Sequence, residues 1–222
     1  SRAIKKSYAS DIEEILVHTG QHYDSNMSGM FFNELSIPAP KYNLGISNVS
    51  HGVMTGRMLE AIESVLIQES PDCLLVYGDT NSTLAGALAA AKIRIPIVHV
   101  EAGLRSFNME MPEEINRIIA DRLSTLLFCP TVTAANNLKM EGIVKGVHNV
   151  GDVMYDAALF YSNQAQKPES ILSTLGVLSQ EYVLVTCHRE ENTNAREQLI
   201  EILSALNCIA CLLYTSPSPR DG

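Results

Sequence analysis

The stretch Cys73-Leu74-Leu75-Val76-Tyr77-Gly78-Asp79-Thr80-Asn81, running on into an alanine-rich segment that ends at Lys92, decides the fold. The first five residues are a near-continuous apolar run, the pattern of a strand buried in a parallel sheet. Gly78 turns the chain, and the alanines that follow favour a helix. Strand, turn and helix make half of a right-handed βαβ crossover. Asp79 and Thr80 stand at the junction, where a short polar side chain caps a helix by accepting a free amide hydrogen. The same place, beyond the carboxyl end of a strand, is where open α/β sheets bind ligands. Both readings of Asp79 stand at this point.

The pattern repeats outward. Ile15–Val17, Ile95–Val100, Leu126–Cys129 and Tyr182–Thr186 are further apolar runs, expected as strands buried on both faces of a parallel sheet. Met54, Met58, Leu59, Ile62, Val65 and Leu66 recur at helical spacing and mark a helix that ends near Pro71. Asn81–Lys92 is a second helix. Pro112, with Glu113 and Glu114 behind it, fits the first turn of a third that runs to about Ser124, since proline suits that position and acids complement the helix dipole. Further helices are expected near Val132–Glu141, Asp152–Asn163 and Ala195–Ile209. The alternation predicts an α/β fold, a Rossmann-like doubly wound parallel sheet. It loosens over Asn163–Glu181, which divides the chain into a first domain at residues 1–165 and the start of a second at 166–210. Residues 211–222 end in Ser-Pro-Ser-Pro-Arg-Asp-Gly and read as a tail or as sequence foreign to the domain.

Composition agrees with a buried α/β core and narrows the function. The chain has 222 residues, 46% hydrophobic and 18% charged, with a mean hydropathy of +0.06. At roughly 100–200 residues per domain it is one large domain or one and part of another. Sixteen Lys and Arg against 25 Asp and Glu leave a net charge of −9, without the basic stripe that nucleic acid requires. No apolar run approaches the ~20 residues that cross a bilayer, and no signal-peptide core follows Ser1, so a soluble, cytoplasmic protein is expected. Five cysteines, an odd number at irregular spacing, make no disulfide framework. Cys208 and Cys211 lack a second pair to complete a zinc site, so no metal is expected.

The candidate chemistry lies at strand ends. Gly78-Asp79-Thr80-Asn81, His99-Val100-Glu101-Ala102-Gly103-Leu104-Arg105 and Cys187-His188-Arg189-Glu190-Glu191-Asn192 each follow an apolar run, as does Thr19-Gly20-Gln21-His22. Glu101 interrupts an apolar stretch, where a carboxylate is costly unless paired or functional. Arg105 is a candidate partner for it. Glu113 and Arg117 are four apart on one expected helix and fit an ion pair as well as a site. His22, His51, His99 and His148, taken singly, fit structural roles, and His188 and Arg189 fit a cap or an interdomain surface. No Gly-x-Gly-x-x-Gly or Gly-x-x-x-x-Gly-Lys-Ser/Thr is present, so neither a dinucleotide cofactor nor P-loop chemistry is supported. Acid/base work by carboxylates and histidine, beside arginines suited to phosphate, is what is left.

These segments, with Pro112-Glu113-Glu114-Ile115-Asn116-Arg117, resemble the non-hydrolysing UDP-N-acetylglucosamine 2-epimerase family in order and spacing from about Ile15 to Leu206. The resemblance implies the first domain of a two-domain glycosyltransferase-B-type fold, a UDP-sugar substrate, no metal or nicotinamide cofactor, and a cytoplasmic homodimer. It implies inversion at C2 by elimination of UDP to a glycal and re-addition, making UDP-N-acetylmannosamine for bacterial surface polysaccharides. Asp79, Glu101 and Glu113 are then the catalytic carboxylates, supported by Arg117, with His188 near the diphosphate or in proton transfer. Gln21 and His22 match a second UDP-sugar site, and Arg105, Arg189, Glu191 and Asn192 are expected to bind substrate. Family chains open with a strand and a Gly-x-Arg-Pro loop, whereas Ser1 is expected to fall inside the helix that follows; most of the second domain is not encoded. Alternatives are a 2-epimerase of a UDP-diacetamido-sugar acid, a hydrolysing relative, a glycosyltransferase of the same fold, and a non-catalytic fragment.

Overall fold

The computed structural model describes residues 7–8, 11–21, 37–165, 175, 183–187, 192 and 195–213. Val17–His18 (β1) and Tyr42–Asn43 (β2) pair in parallel. Leu74–Tyr77 (β3), Ile97–Val100 (β4), Leu126–Cys129 (β5) and Val147–Asn149 (β6) form a parallel sheet in that order, with Val76 beside His99 and His99 beside Leu127. The helices are His51–Glu69 (α1), Asn81–Lys92 (α2), Pro112–Leu123 (α3), Val132–Met140 (α4), Val153–Ala165 (α5) and Arg196–Leu213 (α6). Fold class and the helices of the first 165 residues are as the sequence leads one to expect.

Local chemistry sets the boundaries. Ser70 ends α1 in a left-handed conformation (φ 47°), its amide donating to the Leu66 carbonyl just before Pro71. Thr80 and Thr131 cap α2 and α4, each hydroxyl accepting an amide three residues on. The alanines of α2 let it pack closely against both α1 and α3. Met58, Ile62 and Leu66 of α1 join Ala85, Ala89, Val76 and Ile97 in one apolar cluster, while Leu127, Cys129, Ala134 and Leu138 make a second.

Among the described residues burial is uneven between the two faces of the sheet. Val76, Ile97, His99, Leu127 and Cys129 share one buried face; on the other, Val100 is buried and Val98 and Phe128 half-buried, while Leu75, Tyr77 and Leu126 are exposed, short of the two-faced burial the sequence leads one to expect. The sheet is ordered as the chain runs, so right-handed crossovers from β3 to β6 all step the same way and lay their helices on one face. β1 is not paired with β3; a cavity of about 290 Å³ lies between them, lined by Leu16, Val17, Val76 and Tyr77 with Val65 and Leu66 of α1. β2 and β6 carry too few apolar residues to announce themselves in the sequence.

The chain divides into two compact units, Ser1–Tyr161 and Ser162–Gly222. In the second, residues 183–186 of the expected Tyr182–Thr186 run are not in a strand, and no other strand is present there among the described residues to pair with. α6 runs past the expected end at Ile209 to Leu213, because no glycine or proline stops it before Pro217. No helix of the described residues is long and apolar enough to cross a membrane.

Candidate active site

The exits of β3 and β4 bring two expected carboxylates together. Gly78 turns the chain after β3 at φ 60°, its amide donating to the Val100 carbonyl. Glu101 follows β4 at φ 70°, a left-handed conformation that costs a side-chain-bearing residue energy and is held only where its surroundings demand it. Its Oε2 lies 3.2 Å from where a Cβ on Gly78 would sit, so the carboxylate passes closely over Gly78, next to Asp79. Burial raises the Glu101 carboxyl above the usual carboxylate range, Asp152 and Asp79 raise it further, and His99 works against them.

Asp79 is gripped from α3. Arg117 Nη2 donates to Asp79 Oδ2 at 2.5 Å, and Asn116 Nδ2 donates to the Asp79 carbonyl at 2.9 Å. Arg117 Nη1 also lies 3.0 Å from Glu114, while its Nε is buried without a hydrogen-bond partner. Glu114, 1% exposed, accepts from the amide and hydroxyl of Ser106 and from the amide of Phe107, each at 2.9 Å. Burial works to raise its carboxyl, but those three donors and Arg117 outweigh it and hold it below the ordinary value. Glu114 thereby ties the loop ahead of α3 to the arginine that holds Asp79.

Behind Glu101 lies a wholly buried pair. His99 Nδ1 is 2.8 Å from Asp121 Oδ1, and its Nε2 is 2.8 Å from the Gly78 carbonyl. Asp121 also accepts from the Gly103 amide at 3.1 Å and from Arg105 Nη1 at 2.7 Å. Gly103 has φ 79°, and a Cβ there would lie 2.3 Å from the Ala134 carbonyl oxygen, so the turn admits only glycine.

Asp79, Glu101 and Arg117 are thus brought into one cluster, joined by Asp152, which starts α5 by accepting the Met154 amide. Glu113 stands exposed on the first turn of α3, and its neighbour Glu114 is the acid that meets Arg117. Arg105, expected at the substrate, is 1% exposed along its side chain and committed inside the protein: it makes a bidentate pair with Glu141 at 2.7 and 2.8 Å besides its bond to Asp121, and does not pair with Glu101. Gln21 Oε1 accepts from the amide and hydroxyl of Ser82, docking its loop on the first turn of α2. Asn192 is described in the second unit; His22, His188, Arg189 and Glu191 lie outside the described residues. Sequence reasoning carried His99, Glu114 and Asn116 inside its candidate segments without giving them a role in the site, and missed Asp121 and Asp152. The spacing of Glu114, Arg117 and Asp121 (i, i+3, i+7) was the available signal, since it puts three ionisable groups on one helix stripe.

A parallel α/β sheet with carboxylates gathered at its carboxyl edge defines a Rossmann-like domain, a class of fold in which ligands bind at that edge. The chain belongs to the UDP-N-acetylglucosamine 2-epimerase family, which it matches over residues 3–220. It is 54% identical over 203 residues to a UDP-N-acetylglucosamine 2-epimerase homolog of Methanococcus maripaludis, covering 91% of this chain and 57% of the relative. It is 56% identical over 200 residues to a UDP-2,3-diacetamido-2,3-dideoxy-D-glucuronate 2-epimerase of Pseudomonas aeruginosa, covering 88% and 55%. The crystal structure of Methanocaldococcus jannaschii UDP-GlcNAc 2-epimerase in complex with UDP-GlcNAc and UDP superposes with a TM-score of 0.86 at 45% identity, covering 95% of this chain and 58% of that one. The chain spans about half the length of these relatives, and its fold is the first domain of the glycosyltransferase-B type.

Proposed function

We propose that this chain supplies the acid/base half of a sugar-nucleotide 2-epimerase. The observation that carries the reading is the pairing of two unlike carboxyls at adjacent strand exits, Asp79 ion-paired with Arg117 and Glu101 half-buried among other acids. Two carboxyls whose surroundings differ in this way suit opposite proton-transfer roles.

Inversion at C2 needs a proton removed from one face and returned to the other. The C2 proton of UDP-N-acetylglucosamine is poorly acidic, so its loss is coupled to breaking of the C1–oxygen bond: UDP leaves with the bond's electrons and the C1–C2 double bond of a glycal forms. Re-addition of UDP to C1, with a proton delivered to the opposite face of C2, gives UDP-N-acetylmannosamine. Asp79 and Glu101 are the proton-transfer groups, and Arg117 orients Asp79. Glu113, exposed on the first turn of α3, is proposed as a third carboxylate that meets substrate. His188, Arg189, Glu191 and Asn192 are proposed to face the nucleotide from the second domain, and Gln21 and His22 a second nucleotide sugar. Arg105 is assigned to the fold.

A second substrate has a specific observation in its favour, because the Pseudomonas aeruginosa relative at 56% identity acts on a UDP-diacetamido-glucuronate. Offering both UDP-sugars to a version of the protein as long as its relatives, and following the C2 configuration by proton NMR, tests the proposal. Turnover of either sugar to the C2 epimer with UDP still attached supports it and picks the substrate; free sugar or no product contradicts it.

A further inference from the structure

Two fully buried ionisable groups lie directly beneath the proposed acid/base pair and touch no surface. His99 sits on the helix-covered face of the sheet, in register between Val76 and Leu127, where the neighbouring positions are apolar. Asp121 reaches it from the last turn of α3. A buried ion-paired couple is poor value as a source of stability, because a well-packed apolar pair of the same volume does as well or better. What this couple does uniquely is geometric. Through His99 Nε2 it holds the Gly78 carbonyl, the residue before Asp79, and through Asp121 it holds the Gly103 amide, two residues after Glu101. Glu101 therefore lies on a left-handed turn pinned at both ends, with its carboxylate over Gly78.

The hydrogen-bond inventory restricts the couple further. The Gly78 carbonyl only accepts, so His99 Nε2 carries a hydrogen. Asp121 already accepts from Gly103 and Arg105, so the Nδ1···Oδ1 bond at 2.8 Å needs a hydrogen of its own. The arrangement requires a proton on each side of the ring.

We propose that His99 and Asp121 are positioning residues that clamp the turn after β4 to the turn after β3 and so fix the Glu101 carboxylate beside Asp79. This rests on the reading of Glu101 as a working acid/base group, but its test needs no turnover. The charged and titratable groups that face the pair and its client are Arg105 and Cys129 around Asp121, and Asp79, Asp152 and His99 around Glu101, with Arg117 on Asp79.

The test is a 13C carboxyl NMR titration of the glutamates in the 222-residue chain, comparing the parent with Asp121→Asn, His99→Gln and, as a control, Tyr42→Phe, which removes the hydrogen bonds that join β2 to Glu69 and Gln68 of α1. Without the clamp Glu101 loses its fixed place beside Asp79 as well as the His99 ring, the surroundings that set its carboxyl. The Glu101 midpoint is expected to move in both pair variants and to stay in place in Tyr42→Phe. An unmoved midpoint in the pair variants, or an equal shift in the control, overturns the proposal. Should the pair variants not fold, the parent decides it: the His99 ring N–H and the Gly103 amide should exchange with solvent as slowly as the β4 amides, and loop-like exchange overturns it. An unmoved titration leaves the epimerase reading standing, and failure of the epimerase assay leaves the clamp standing.

Discussion

Arg117, one turn into α3, reaches back to the exit of β3 and places its Nη2 2.5 Å from Asp79 Oδ2. The contact joins two parts of the chain 38 residues apart. It also makes α3 the element that sets the geometry of the strand-end carboxylates, since Asn116, Glu114 and Asp121 of the same helix contribute to the same network.

Replacing Arg117 by methionine keeps the bulk of the side chain and removes the charge. Glu114 would lose one of its donors while staying buried, and Asp79 would lose its grip. Chemical denaturation should show a loss of about 1–3 kcal/mol, more than Lys41→Met produces, because Lys41 pairs with Glu69 at the surface, where such pairs contribute little.

Glu101 and Glu114 should respond to pH in opposite senses. The Glu101 carboxyl is raised in the folded chain, so the folded state binds its proton more tightly than the unfolded state. Its ionisation then costs stability progressively as pH rises from the ordinary carboxylate range through the raised folded value. Glu101→Gln should therefore match the parent near about pH 4 and exceed it at neutral pH. Glu114 is lowered by its donors, so its contribution is present above the ordinary range and lost as pH falls through the folded value. Glu114→Gln should be weaker than the parent at neutral pH, with the gap closing in acid. Urea midpoints measured across the range check both signs.

Gly103→Ala should cost about 2–4 kcal/mol, combining a left-handed backbone with a Cβ driven against the Ala134 carbonyl. Because Gly103 N–H is an anchor of the Asp121 network, the variant should also disturb the NMR resonances of His99 and Glu101 more than those of α1.

Much of this was legible in the sequence, for physical reasons that name its limits. The Met54-to-Leu66 periodicity and the Ala-rich segment foretold α1 and α2, and apolar runs foretold β3, β4 and β5, because burial is written in residue type. Uneven burial was not legible, since an apolar run looks alike whether one face or both are covered; the direction of the crossovers decides it. Asp79 and Glu101 were visible as polar residues at strand exits. Arg105 looked equally available and proved to be buried, because its acceptors, Asp121 and Glu141, lie 16 and 36 residues away. Helix α3 was the least legible: its acids, asparagine and arginines do not mark which face is buried, and Glu114, Asn116 and Asp121 point inward while Ile115 is 40% exposed.

The isolated 222-residue chain should turn over UDP-sugars weakly or not at all, because it spans about half the length of its relatives and lacks the binding that the remaining length adds to position the leaving group. In a version of relatives' length, Glu101→Gln or Asp79→Asn should lower kcat by roughly 10²–10⁴, as followed by coupled release of the C2 epimer.

The most direct measurement is solvent exchange at C2. A version of relatives' length is incubated with UDP-N-acetylglucosamine or its diacetamido-uronate counterpart in D2O, and the nucleotide sugar is examined by NMR. Deuterium at C2 of the epimerised, still UDP-linked sugar, abolished together with turnover in Glu101→Gln, is the predicted result. Epimer formed with its C2 hydrogen retained, or deuterium entering at the parent rate without Glu101, would contradict the account.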